Sequence, residues 1–128
     1  MTPFTVLKVI HISLQKGDDD MMAFAWTYLI SAGLFEIGWP VGLKMAQTPG
    51  KTVTGVIFAG VCMIISGYLL FLAQRHIPMG TAYAVWTGIG AAGTFIVGIF
   101  LYGDPTGVMR VFAVVLIISG VVLLKLAH

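Results

Sequence analysis

The chain has 128 residues, 59% of them hydrophobic and only 9% charged, with a formal net charge of +2. Soluble globular chains carry about 25% charged residues, so this composition belongs to the membrane class. The small, dispersed charge excludes a basic nucleic-acid footprint, and a single cysteine, Cys62, excludes an internal disulfide or a cysteine-based metal cluster.

Residues 1–21 differ from the rest. They are mixed in character and run into the acidic triplet Asp18-Asp19-Asp20 before Met21-Met22. The apolar stretch 6–14 is interrupted by Lys8 and His11. It is too short to span a bilayer and ends in no small-residue cleavage site, which argues against a secretory signal. The expectation is a disordered extension, or a start codon read too early with Met21 or Met22 as the working start. Residues 22–128 are then the transmembrane domain.

Four apolar segments follow, at about 24–43, 53–73, 81–102 and 108–126. Each holds about 20 residues, which at 1.5 Å per residue matches a hydrocarbon core of roughly 30 Å. The connectors carry the turn formers Pro49-Gly50, Pro78 and Gly103-Asp104-Pro105. The predicted fold is all-α and integral to the membrane, four short helices with tiny loops. These segments leave no room for a nucleotide-binding fold, so any transport must run on an ion gradient or on the substrate's own.

The first segment holds the only acid within a span, Glu36. A carboxylate at membrane depth is costly unless protonated, paired or solvated, and such a group is functional by default. Lys44 is eight residues away, ~12 Å along a helix, so it cannot pair directly. Glu36 is therefore protonated, neutralised from outside the chain, or a purely structural acid held by neighbouring hydroxyls. Trp39 lies on the same helix face. Pro40 has no N–H to give the carbonyl of residue 36, leaving either a free carbonyl beside the acid or a tolerated kink.

In the second segment Ser66 has two readings, a donor to Glu36 or a bond back into its own helix. In the third, Tyr83 and Trp86 sit one turn apart; they are a packing or anchoring pair, or, with Trp39, an aromatic setting for a cation. Glycines are dense, among them Gly88, Gly90 and Gly120. They allow close helix approach, and Gly88-Ile89-Gly90 reads equally as a flexible point.

No Ser-His-acid or metal-ligand constellation occurs in the spans, and His11, His76 and His128 flank them, so enzyme chemistry and a bound cofactor are not expected. Lysine and arginine are split almost evenly between the two ends of the bundle. Lys44, Lys51 and Arg110 fall on one side, Arg75 and Lys125 on the other. So weak a bias permits insertion in both orientations and an antiparallel dimer.

Together, the lone acid of the first segment and the run PMGTAYAVWTGIGAAG (78–93) resemble the small multidrug resistance transporters over about 22–128. Trp39 after Glu36, then Gly42-Leu43-Lys44, and Trp86-Thr87-Gly88-Ile89-Gly90 resemble the guanidinium-exporter subtype. The resemblance implies an antiparallel, dual-topology homodimer in the plasma (inner) membrane of a prokaryote, exporting guanidinium in exchange for H+. By residue it implies that Glu36 binds proton or cation, and that Ser66 and Trp39 orient it. Tyr83 would switch contacts as the pocket changes side, and Trp86 would line the pocket. Gly88 and Gly90 would bend the third helix, and Gly120 would sit at the dimer contact. Pro40 departs from the subtype, which carries a small non-proline residue there, and Gly67 replaces something bulkier; both widen the site. Competing expectations are an exporter of quaternary ammonium or lipophilic cations, one half of a heterodimer, and a non-transporting assembly partner.

Overall fold

The computed structural model describes residues 2–127, so His128 lies outside the described residues. Four helices follow in order: α1 (Pro3–Ala46), α2 (Thr52–Ala73), α3 (Met79–Tyr102) and α4 (Val108–Ala127). All four are long and apolar enough to cross a membrane. The ends of α2, α3 and α4 fall within two residues of the sequence expectation.

Helix α1 is longer than the apolar segment at about 24–43. It starts at Pro3, and residues 3–21 run as exposed helix ahead of that segment. Its start is locally encoded: the Thr2 side chain accepts the Thr5 N–H at 3.2 Å, and proline suits the first helical position. Between Pro3 and Gly33 the sequence offers one glycine, Gly17, and no proline to break the run. At 44 residues α1 is about 66 Å long, twice a hydrocarbon core, so only its second half is span.

Short loops make α1 and α3 parallel, with α2 and α4 running back. Gly50 (φ 82°) turns the first loop and Gly103 (φ 65°) ends α3, both in the left-handed region where a side chain is strained.

Glycines set the helix spacing. A Cβ on Gly55 would land on the Ala46 backbone and 2.6 Å from the Gly42 carbonyl oxygen. One on Gly42 would lie 2.7 Å from the Ala59 nitrogen. The α1 and α2 backbones therefore touch directly, which is how helices associate in lipid, where burying apolar surface gains nothing. Between α1 and α3 the contact alternates: Ile89 fills the space over Gly33, and Ile37 the space over Gly93.

The buried core lies at one end, where Trp26 and Leu29 of α1 meet Ala73 and Ile77 near the end of α2 and Ala82 and Val85 of α3. Lys125 of α4 closes over the Trp26 ring at 5.3 Å. Elsewhere the apolar side chains face outward: Ile64 is 73% exposed, Phe100 82% and Val108 90%, and among the described residues α4 buries none. Lipid is the solvent this surface fits.

Gly55→Ala is expected to destabilise the fold by about 1–3 kcal/mol, the usual penalty for overpacking. Gly60→Ala, where an added Cβ meets nothing within 4 Å, should be neutral. Thermal unfolding of the two variants in detergent checks both.

Candidate functional site

Glu36 is half-buried on the α3-facing side of α1. It lines a cavity of about 320 Å³ with Pro40 and, from α3, Thr87, Gly90, Ala91 and Thr94. Gly90 is what admits it. A Cβ there would stand 2.6 Å from the Glu36 Cγ and 3.2 Å from its Cβ. The aliphatic stem of Glu36 thus occupies the place of an α3 side chain, with its carboxyl carbon 3.9 Å from that point.

On its other side the acid meets α2. Ser66 is fully buried; its hydroxyl donates to the Ala32 carbonyl at 2.7 Å and accepts the Trp86 indole N–H at 2.8 Å. One serine therefore ties α1, α2 and α3 together at the depth of the site, and it does not bond back into its own helix. Both Ser66 and Trp39 lie close to the Glu36 carboxyl. A hydroxyl has one proton and two lone pairs. With the proton on Ala32 and one lone pair on Trp86, Ser66 still has an acceptor for a protonated Glu36. To donate to an ionised Glu36 it must rotate away from Ala32.

The structure brings Glu36, Trp39, Ser66 and Trp86 into one cluster. Tyr83 stands outside it, 57% exposed, its ring 5.5 Å from that of Trp86 and tilted by 53°. Helix α3 is unbroken through Gly88 and Gly90. The two glycines face different neighbours, since a Cβ on Gly88 would collide with Val121 of α4. Around Gly120 there is open space.

Sequence reasoning missed Thr87, Ala91 and Thr94. Their signal was available: 87, 90, 91 and 94 follow helical i, i+3, i+4, i+7 spacing and are all small or hydroxylated. A second cavity of about 200 Å³ continues the first, sharing Pro40 and Thr94 and adding Lys44, Tyr102 and Asp104. Pro40 stands where the two join, and the carbonyl of Glu36 receives no N–H from it.

A membrane-embedded acid in an open inter-helix groove is an arrangement for handling a cation or a proton. Residues 24–117 match the family described as Small Multidrug Resistance protein. The chain belongs to the small multidrug resistance family. Relatives include the proteins named guanidinium exporter in Yersinia pestis and Escherichia coli (strain K12), each 45% identical over 103 residues. That match covers 80% of this chain and 98% and 97% of the two relatives. The guanidinium exporter of Citrobacter freundii is likewise 45% identical, over 104 residues. As a member of a transporter family whose relatives are named as exporters, the chain is a multi-pass membrane transporter and not an enzyme.

Gly90→Ala should drive the Glu36 side chain from its place while leaving the α1–α2 and α3–α4 contacts intact. The expected result is at least a tenfold loss of transport with normal insertion and a nearly normal melting temperature; an active alanine variant would show that the fit is not required.

Proposed function

We propose that the chain exports guanidinium or a small guanidinyl cation in exchange for protons, by alternating access, as an antiparallel homodimer in the inner membrane of a prokaryote. One observation carries the reading. Glu36 sits half-buried in a spanning helix, beside an open groove, and none of the described cationic side chains neutralises it. An ionised carboxylate in that setting demands a counter-charge. A mobile proton or a mobile cation supplies it, and the two exclude one another.

Guanidinium suits the surroundings. It is planar with several N–H donors and can engage a carboxylate through two parallel hydrogen bonds, as an arginine head does. The Glu36 carbonyl, which gets no N–H from Pro40, and the Thr87 and Thr94 hydroxyl oxygens are candidate further acceptors along the groove. Ser66 serves both states of the acid, accepting from it when protonated and donating after rotation when it is ionised. The relatives named guanidinium exporter support this substrate.

The dimer supplies what a single chain lacks. The α4 helix buries no described residue, and Gly120 leaves a flat place on it for a second helix. The near-even split of lysine and arginine supports a partner inserted the other way up.

A second reading has one observation in its favour. About 320 Å³ corresponds to on the order of ten water volumes, more than guanidinium fills, so bulkier quaternary ammonium cations also fit beside Pro40.

The test is guanidinium-driven proton movement in liposomes holding only this chain. Wild-type protein should give a signal, and Glu36→Gln, whose amide neither ionises nor holds a cation, should reduce it to the empty-liposome level. Proton-coupled exchange by the glutamine variant would remove Glu36 from the mechanism. Competition by tetraalkylammonium separates the two substrates. For the dimer, tags at each terminus should be reachable from both faces of the native membrane; one fixed orientation would leave no antiparallel homodimer.

A further inference from the structure

The groove that holds Glu36 leads to a second carboxylate. Its two cavities join at Pro40 and Thr94, and the outer one is lined by Lys44 on α1 and by Tyr102 and Asp104 at the end of α3. The spacing is the same on both walls. Lys44 is eight residues beyond Glu36, and Gly98 is eight beyond Gly90, ~12 Å along each of two parallel helices. As Gly90 makes room for Glu36, Gly98 makes room for Asp104: a Cβ on Gly98 would collide with the Asp104 carboxylate.

Asp104 is held there by the backbone. Gly103 takes the left-handed turn, and the N–H groups of Gly103 and Asp104 both donate to the Gly98 carbonyl. The turn folds the acid, still exposed, back over the mouth of the groove. As helix capping this is a poor choice, since the C-terminal end of a helix already carries about half a negative charge. The placement makes sense for cations. Two helix C-termini, those of α1 and α3, converge on this mouth with a carboxylate between them. Lys44, the basic residue of the last α1 turn, is the one positive charge lining it among the described residues.

Resting on the reading of Glu36 as a cation site, we propose that Asp104 is a further cation-binding position, an outer station that captures the guanidinium-type substrate at the mouth of the α1–α3 groove, with Lys44 as the opposing charge that limits its occupancy. The cation meets Asp104 first, then passes Thr94 and Pro40 to reach Glu36. Asp104 raises the local concentration of cations over anions and neutral molecules, and Lys44 keeps the outer station weak enough to release inward. Neither residue takes part in proton exchange.

Opposite signs give opposite effects, which general damage to the fold would not. In liposomes at low ionic strength, Asp104→Asn should raise the guanidinium concentration for half-maximal exchange by about 3- to 10-fold, and Lys44→Gln should lower it by a similar factor. Maximal rates should stay close to wild type. At about 1 M salt, where screening acts within ~3 Å, the three proteins should converge. Unchanged half-saturation in Asp104→Asn, a shift in the same direction for both variants, or shifts that persist at high salt would each overturn the proposal. If wild-type protein moves no guanidinium at all, the transport reading fails and takes this one with it; if it does and Asp104→Asn behaves identically, only the outer station falls.

Discussion

A carboxyl group stands at membrane depth in this protein because the helix facing it has no Cβ at residue 90. The same device recurs along the bundle. Gly33 receives Ile89, Gly93 receives Ile37, and Gly42 and Gly55 bring two backbones into contact. In water a glycine inside a helix costs about 1 kcal/mol relative to alanine. In lipid, where helices gain nothing by hiding apolar surface from one another, the closer approach is what holds them together. Helix spacing and the location of the acid are therefore one constraint. Moving α3 away from α1 to relieve Glu36 would also empty the seats of Ile89 and Ile37.

Along the α1–α3 interface the packing is tight at one end and open at the other. Near Trp26, Leu29, Ile77 and Val85, medium and large side chains fill the space between three helices. Towards the C-terminal ends of α1 and α3 the α3 residues facing α1 shrink to Thr87, Gly90, Ala91, Thr94 and Gly98. The gap they leave is the groove. Ser66 sits at the boundary, linking Ala32 and Trp86, so the packed end is joined to the site by hydrogen bonds instead of by apolar contact. Ser66 thereby touches all three helices beside Glu36.

Much of this was legible in the sequence, and what was not has physical causes. Apolar length placed α2, α3 and α4 to within two residues, since a bilayer demands a fixed span. Glu36 stood out because acids are rare at that depth, and Ser66, Trp39 and Trp86 could be nominated as its neighbours. Spacing along one helix says which residues share a face, but not which way that face turns. Hence Gly88 and Gly90, two residues apart, read as a single flexible point, although they serve different neighbours on opposite sides of α3. The helical state of residues 3–21 was hidden for another reason. Charges and an acidic triplet suggest a solvated tail, yet the stretch has a capping threonine, a proline at its first turn and only Gly17 to weaken it. Asp104 escaped notice because a turn aspartate after a glycine is ordinary; only the seat at Gly98 gives it a direction.

The charges along the groove form a gradient that fits a path better than a trap. At the mouth, Asp104 and two helix ends are opposed by Lys44, so attraction is present but incomplete. Midway, where Pro40 removes an N–H, a carbonyl offers a dipole without a charge. At the bottom stands Glu36 with no described cation to oppose it. A cation moving inward thus meets a partial charge balance, then a dipole, then an uncompensated acid, each step stronger than the last. Under the proposed exchange, a proton replacing the cation is what makes that last step reversible; with no such replacement the deepest site would hold its guest, and the groove would be a sink.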